Sequence, residues 1–173
     1  MIPPPTARLE FRKWTAGDLA LAESLWCDPD VMRFIGGPYS PEELAARIER
    51  ELANDATQHV QYWPVFTRAG GEFVGCCGLK PNGAERHKLE IGFQLRPQFW
   101  RAGYATEAAR AVIAHAFERL GATVLFAGRH PENAGSHALL IKLGFTEIGT
   151  HHFARTGLDH PWYELRRDQT YGK

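Results

Sequence analysis

The apolar residues between positions 105 and 120 recur every three or four residues along the chain. This spacing predicts an amphipathic helix with one face against a core, and Gly121 lies just past its end. The apolar positions are Ala105, Ala108, Ala109, Val112, Ile113, Ala116, Phe117 and Leu120. Ahead of them, Lys88–Leu95 reads as a strand that Pro97 ends. A strand, a loop and a long helix therefore follow one another.

Further strands and helices are predicted on both sides of this unit. Thr15 with Asp18, and Ser40 with Pro41 and Glu43, are helix-start signals. The predicted helices cover residues 19–26, 41–53 and 134–143, and residues 29–39 read as an apolar loop. The other predicted strands cover residues 9–13, 61–68, 72–79, 123–127, 145–150 and 162–167. This mixture predicts one α/β domain over residues 1–173, with helices on both faces of a mixed, twisted sheet of six or seven strands.

The composition excludes several classes of protein. Twenty basic and twenty acidic side chains cancel, which argues against a nucleic-acid or membrane-surface partner. The three cysteines form no metal-binding pattern, and Cys76 and Cys77 would point to opposite faces of a strand. No long apolar run and no signal-peptide pattern is present. We therefore expect a cytoplasmic protein without a metal or a disulfide.

The loop between the strand and the long helix has the properties of an anion-binding site. A helix N-terminus presents unpaired N–H groups and a partial positive charge, which favour phosphate. Gly103 and the small residues Ala102 and Ala105 allow a ligand to approach the main chain closely. Neither a P-loop nor a GxGxxG pattern is present, so kinase-like and Rossmann readings lose support. What remains is a pyrophosphate cradle made of main-chain amides.

Two segments carry a family resemblance. LEIGFQLRPQFWRAGYATEAARAVIAHAFERLG, followed by PENAGSHALLIKLGF, resembles the acetyl-CoA-binding core of the GCN5-related N-acetyltransferase (GNAT) family. The opening ARLEFRKWTAGDL and the segment PDVMRFIGG are similar to the branch that acetylates N-terminal alanine or serine of ribosomal proteins. The resemblance implies an enzyme with the GNAT fold, whose sheet is mostly antiparallel. It further implies that acetyl-CoA enters a splay between the strand at 88–95 and the strand at 123–127.

The resemblance also implies roles for individual residues. Phe93, Gln94 and Leu95 would pair with the pantetheine arm, and the amide of Gln94 would polarise the thioester carbonyl. Asn133 would contact the cofactor arm. The pyrophosphate would be held by the amides of Arg101, Ala102, Gly103, Tyr104, Ala105 and Thr106.

The chain departs from the family pattern at two places. The phosphate loop of the family usually reads Gln/Arg-x-x-Gly-x-Gly/Ala, and here it begins with Trp100 and ends with Ala105. Leu140 stands where many relatives have a Tyr that donates a proton to the departing thiolate. Ser136 is the nearest alternative donor.

Each candidate catalytic or binding residue also has an ordinary structural interpretation. Glu90 matches a strand carboxylate that some relatives use as a general base, and it is equally suited to a salt bridge. Ser136 and Asn133 lie where a helix start needs capping residues. Glu107 is suited to the first turn of the long helix, where a carboxylate interacts well with the helix dipole.

The acceptor is the least constrained part of the prediction. A protein N-terminal α-amine is implied by the branch, and a small amine such as an antibiotic, polyamine or amino acid is the alternative. Met32, Phe34 and Trp63 are candidates for the acceptor pocket, although core burial is the favoured account. A non-catalytic acyl-CoA sensor and a nucleotide-binding module also stay open. A homodimer is the reasonable expectation for a small enzyme.

Overall fold

A computed structural model describes residues 1–168 as an α/β domain. The helices are α1 (Leu19–Trp26), α2 (Pro29–Met32), α3 (Pro41–Gln58), α4 (Tyr104–Glu118) and α5 (Ala134–Lys142). The strands are β1 (Leu9–Phe11), β2 (Tyr62–Thr67), β3 (Phe73–Pro81), β4 (Lys88–Leu95), β5 (Val124–Gly128), β6 (Thr146–Phe153) and β7 (Leu158–Arg166).

The seven strands form one sheet in the order β1-β2-β3-β4-β5-β7-β6. Every neighbouring pair is antiparallel except β4 and β5, which run parallel. The predicted mixed, mostly antiparallel sheet with helices is therefore confirmed.

Each face of the sheet has its own hydrophobic core. Residues of α4 and the Leu140 side chain of α5 belong to one cluster. Residues of α1, α2 and α3 belong to the other. The neighbouring thiols separate as the strand alternation predicts, since Cys77 lies in the first cluster and Cys76 in the second.

Two of the predicted boundaries are wrong for identifiable reasons. Residues 29–32 are helical, because Asp28 caps this turn by accepting the N–H groups of Asp30 (2.8 Å) and Val31 (3.0 Å). Helix α3 continues to Gln58, five residues beyond the predicted end, and His59 closes it in the left-handed conformation by donating its N–H to the Asp55 carbonyl at 3.1 Å. The Ser40 and Glu43 capping box at its start is confirmed.

The last two strands are longer than predicted and form a hairpin. The strands pair from Thr146 opposite Glu164 to Phe153 opposite Leu158. Pro161 lies inside β7 opposite Thr150, and does not mark its beginning. The hairpin tip, residues 154–157, extends beyond the sheet toward the start of α3.

Candidate active site

The parallel strands β4 and β5 separate partway along their length. They are paired only at Lys88 with Val124, Leu89 with Leu125, and Glu90 with Phe126. Beyond Glu90, β4 continues to Leu95 along β3, and β5 continues to Gly128 along β7. The predicted splay is therefore present, and a cleft opens between these two strand ends.

The hydrogen-bond alternation of β4 determines which main-chain groups face this cleft. The N–H of Arg96 donates to the main-chain carbonyl of Val74 (2.9 Å), and the main-chain carbonyl of Lys88 accepts the N–H of Asn82 (3.1 Å). In an antiparallel pair every second residue directs both its N–H and its carbonyl toward the partner strand. Gln94 belongs to the same series as Lys88 and Arg96, so its N–H also points toward β3.

The Gln94 side chain is engaged as well. Its Oε1 accepts the indole N–H of Trp26 at 2.5 Å. The expectation that the Gln94 amide faces the thioester is therefore at odds with the geometry, although Gln94 still contributes to the cavity wall.

Phe93 and Leu95 direct their main-chain groups the other way, into the cleft. The indole of Trp100 confirms this direction, because its Nε1 donates to the Leu95 carbonyl at 2.6 Å. The N–H groups of Phe93 and Leu95 therefore provide an unused strand edge to which an extended arm can bind.

The predicted pyrophosphate loop follows directly. Arg101 and Gly103 have φ values of 61° and 82°, so the chain turns sharply before α4. The N–H of Glu107 donates to Gly103 at 3.1 Å as the first helical bond. The amides of residues 104–106 therefore have no acceptor inside the helix and are available to an anion.

A segment before β1 holds this loop in place. The Glu107 carboxylate accepts bonds from the Thr6 hydroxyl (2.5 Å), the Arg8 N–H (2.9 Å) and the Arg8 Nε (2.7 Å). The Arg8 Nη1 also donates to the Ala102 carbonyl at 3.0 Å. Burial raises the pKa of Glu107, but these hydrogen bonds outweigh it and lower the pKa below its ordinary value. Glu107 therefore anchors a neighbouring segment, a contact that the helix-dipole interpretation did not include.

Helix α5 brings two predicted residues to the cleft. Asn133 caps the helix, since its Oδ1 accepts the N–H of Ser136 at 2.9 Å. Both residues also line the cavity described below. Leu140 is fully buried in the core, so this position offers no proton donor. The capping interpretation of Asn133 is confirmed and leaves its Nδ2 group for a ligand.

Glu90 lies at the point where β4 and β5 separate. Its carboxylate pairs with the Lys80 ammonium at 2.9 Å, and its side chain is 16% exposed. Both residues line the cavity. The salt bridge considered from the sequence is therefore present, at a position that also gives the carboxylate access to a ligand.

These residues share one cavity of about 600 Å3. The predicted Phe34 lies in its wall, whereas Met32 and Trp63 are fully buried in the two cores. Sequence reasoning missed much of the lining, including the polar side chains of Arg47, Arg50, Tyr62 and Arg155. The spacing of Glu43, Arg47 and Arg50 on one face of α3 was the available signal.

Tyr62 connects the cavity wall to β4. A side chain at Gly92 would meet the Tyr62 hydroxyl at 2.2 Å, so the ring lies directly on the main chain of β4. Burial raises the pKa of Tyr62 well above its usual range, and the phenol is neutral at physiological pH.

Three histidines lie in the cavity wall. His130, His151 and His160 line the cavity, and the Nε2 of His160 lies 2.9 Å from the Thr156 hydroxyl. Burial, followed by neighbouring histidines, lowers the pKa of His160. Within residues 1–168, no three His, Cys, Asp or Glu side chains are grouped so that they could hold a metal ion. Nor does any helix in that range have the length and apolar character to cross a bilayer.

The comparisons with known proteins agree with this geometry. The family model for the acetyltransferase (GNAT) domain matches residues 8–146. FsC-acetyl coenzyme A-N(2)-transacetylase of Aspergillus fumigatus is 32% identical over 154 residues, which span 84% of this chain and 65% of that protein. An uncharacterized N-acetyltransferase, p20 of Bacillus licheniformis, is 29% identical over 83% of this chain and 82% of its own.

Solved structures share the fold along almost the whole chain. An acetyltransferase from Agrobacterium tumefaciens superposes with a TM-score of 0.81 at 25% identity, and the match covers 96% of each chain. The ribosomal L7/L12 α-N-protein acetyltransferase RimL, in complex with coenzyme A, gives 0.82 at 18% identity, over 98% of this chain and 99% of its own. At that identity the likeness shows the fold alone. The chain belongs to the GNAT family and is an acetyl-CoA-dependent N-acetyltransferase.

Proposed function

We propose that this enzyme acts as a single domain over residues 1–173 and transfers the acetyl group directly to a primary amine, with both substrates bound at once. The observation that carries the proposal is that the strand splay and Glu90 open into the same cavity. Holding the amine and the thioester together removes the entropic cost of a bimolecular encounter.

The proposed acetyl-CoA site consists mainly of main-chain N–H groups that have no partner within residues 1–168 of the fold. The amides of Phe93 and Leu95 bind the pantetheine arm, and Asn133 contacts it from α5. Gln94 forms part of the wall beside them. The pyrophosphate is bound by the amides of Arg101, Ala102, Gly103, Tyr104, Ala105 and Thr106. Acetyl-CoA supplies an acetyl group on a thioester, and the Phe93 N–H is the donor best directed toward its carbonyl oxygen.

Glu90 is the proposed general base. An amine attacks only in its neutral form, and an α-amine near pKa 8 needs less help than a lysine amine near 10.4. The Glu90 carboxylate takes the proton directly or through one water. Lys80 positions that carboxylate through the salt bridge.

Ser136 is the proposed proton donor to the departing thiolate, because Leu140 cannot serve. Its side chain lines the cavity beside Asn133. A covalent enzyme intermediate is not part of the proposal. Burial raises the pKa of the Cys76 and Cys77 thiols, which disfavours their reactive thiolate forms.

Two classes of acceptor are proposed, a protein N-terminal α-amine and a small-molecule amine. The fold shared with RimL supports the first, and the name of the Aspergillus relative, an N(2)-transacetylase, supports the second. The hairpin tip supports the small amine, because Arg155 pairs with Glu43 across the cavity and leaves less room for an extended chain. A cytoplasmic location and a homodimer stay predictions.

The experiment compares Glu90→Gln and Ser136→Ala with the parent enzyme. Calorimetry measures acetyl-CoA binding, with ATP as the control ligand, and CoA release is followed with a panel of peptide and small amines. We expect Glu90→Gln to lower turnover by about 100-fold, and Ser136→Ala by less, while acetyl-CoA binds as before.

A matched variant, Lys80→Met, separates loss of the base from loss of the salt bridge. It keeps the carboxylate and should retain most of the activity. Equal losses in Lys80→Met and Glu90→Gln would show that the ion pair matters and would remove Glu90 from the role of base. Binding of acetyl-CoA without CoA release from any amine would reject the proposed activity on this panel.

A further inference from the structure

The cavity wall near α3 and the hairpin carries an excess of positive charge. Its acidic lining residues are Glu43 and Glu90. Its basic lining residues are Arg47, Arg50, Lys80, Arg129 and Arg155. A molecule that enters this wall therefore meets more cations than anions, and an anionic group on it is favoured.

Two of these cations pair with carboxylates of the same wall. Lys80 pairs with Glu90 at 2.9 Å. Arg155 pairs with Glu43, and its Nη2 also donates to the Gly37 carbonyl at 3.1 Å. Neither side chain has its charge free for a ligand.

Arg129 is held by two main-chain carbonyls and one tyrosine hydroxyl. Its Nη1 donates to the carbonyls of His130 (3.1 Å) and Pro131 (2.7 Å), and its Nε donates to the Tyr163 hydroxyl at 2.9 Å. The two remaining arginines of this wall, Arg47 and Arg50, belong to α3.

Arg47 is largely covered and only partly paired. Its Nη2 binds Glu51 at 2.7 Å, its side chain is 13% exposed, and its Nε has no hydrogen-bond partner. The guanidinium lies 4.7 Å from the ring centre of Trp26 and 4.8 Å from that of Tyr62. A guanidinium with an unsatisfied donor is costly to cover, so an anion in the adjoining cavity would stabilise this site through its charge.

Arg50 lies three residues further along α3, on the same face and in the same cavity wall. It is exposed and has no ion-pair partner among residues 1–168. Arg47 and Arg50 therefore line one wall of the cavity from successive turns of α3, and two arginines on one wall suit a carboxylate.

The opposite side of Tyr62 faces β4. Its hydroxyl lies against Gly92, two residues from Glu90. One ring thus separates the proposed base from the guanidinium of Arg47. Arg47, Tyr62 and Glu90 all line the same cavity, which suits a small molecule with an amine at one end and a carboxylate at the other.

We infer that the acceptor is a small amino acid, whose carboxylate binds Arg47 and Arg50 while its amine faces Glu90. This inference rests on the proposed function and names the substrate class for the same site.

The test compares the standard α-amino acids and β-alanine with their carboxamides, by CoA release. An amide has an amine of lower pKa and therefore more of the reactive neutral form. Without an anion site, the amides should be the better acceptors. We expect the opposite, with kcat/KM at least about tenfold higher for the best acid than for its amide.

The variant Arg50→Gln removes one guanidinium at an exposed position, where we expect little change in the free energy of unfolding. We expect it to lower kcat/KM for the acid by about tenfold, and to leave the amide and acetyl-CoA binding unchanged. Arg110→Gln, at an exposed position on α4, is the matched control and should change neither acceptor.

A binding readout separates this inference from the proposed function. Calorimetry in the presence of CoA compares N-acetyl amino acids with N-acetyl amino amides. Tighter binding of the acids, weakened by Arg50→Gln, supports the anion site even if turnover is absent, which would count against the proposed function alone. Equal binding of acids and amides, or equal losses for both in Arg50→Gln, overturns the inference.

Discussion

Trp100 donates its indole N–H to the main-chain carbonyl of Leu95 across 2.6 Å. Leu95 ends the strand that borders the cleft, and Trp100 begins the loop whose amides face the proposed pyrophosphate. This hydrogen bond therefore connects the two halves of the proposed acetyl-CoA site. It also gives a physical role to the residue at which this chain departs from the family pattern.

Replacing Trp100 with Phe should weaken acetyl-CoA binding. The change removes the donor to Leu95 and keeps an aromatic side chain at this exposed position. A lost hydrogen bond of about 1 kcal/mol corresponds to a roughly fivefold higher Kd in calorimetry. Trp100→Gln restores a donor and should bind more tightly than Trp100→Phe. The same Kd in all three proteins would mean that the loop is held without this bond.

Replacing Glu107 with Gln should loosen the segment before β1. The charged acceptor for Thr6 and Arg8 is lost, and hydrogen bonds to a charged group are stronger than neutral ones. We expect the free energy of unfolding to fall by about 1 kcal/mol in urea titrations, together with a weaker affinity for acetyl-CoA. Glu49→Gln, at an exposed position on α3, is the control and should change neither. If Glu107→Gln is destabilised but binds acetyl-CoA with unchanged affinity, the contacts of Glu107 with Thr6 and Arg8 stabilise the fold without shaping the loop.

Replacing Arg155 with Gln should affect the acceptor and spare acetyl-CoA. The change removes the ion pair with Glu43 and weakens the hold on the carbonyls of Gly37 and Pro38. We expect kcat/KM for the acceptor to fall by about tenfold while the Kd for acetyl-CoA stays within about twofold.

The control for the Arg155 change is Arg12→Gln, which breaks a comparable ion pair with Asp18, away from the cavity. It should leave both the kcat/KM for the acceptor and the Kd for acetyl-CoA unaltered. A larger loss in acetyl-CoA binding than in acceptor kinetics would contradict the assignment of the hairpin tip to the acceptor side.

His115 should make the fold sensitive to mild acid. Burial, with smaller effects of nearby positive charges, lowers its pKa from 6.5 to about 4. The unfolded chain therefore takes up a proton at a higher pH than the folded protein. Stability from the neutral ring is complete above pH 6.5 and is lost as the pH falls toward about 4, with a slope of at most about 1.4 kcal/mol per pH unit.

The variant His115→Phe keeps an aromatic ring against Trp63 and removes the titrating group. Urea titrations between pH 4 and 6.5 should show a shallower loss of stability than in the parent. His59→Asn, at the exposed left-handed end of α3, should keep the slope of the parent. Identical slopes for parent and His115→Phe would mean that another group controls the acid sensitivity.

The local signals in the sequence were accurate where neighbours along the chain decide the structure. The bounds of β4 and the capping box at Ser40 follow from nearby residues and are confirmed. The end of α3 was missed, because His59 closes the helix in the left-handed conformation without the Gly or Asn that usually marks such an end. A cap of that kind leaves no signal in the residue pattern.

The direction of the main-chain groups of β4 was not predicted correctly. The family resemblance implied a role for the Gln94 amide, whereas the pairing of β4 turns its N–H toward β3, and its side chain bonds Trp26 of the second core. The groups that face the cleft belong to Phe93 and Leu95. Only the pairing of β4 with β3 decides this, since a strand has two edges and the sequence does not say which one is occupied.

The sequence by itself determined the fold class, the family and the loop at Gly103, because these depend on local periodicity, caps and a contiguous motif. The tertiary structure alone decided the acceptor side of the cavity, where Arg155 meets Glu43 across 112 residues of chain. Arg47 and Arg50 were visible only as one face of an amphipathic helix. Their interpretation as an anion site required knowing which cations were already paired, and that pairing exists only after distant segments fold together.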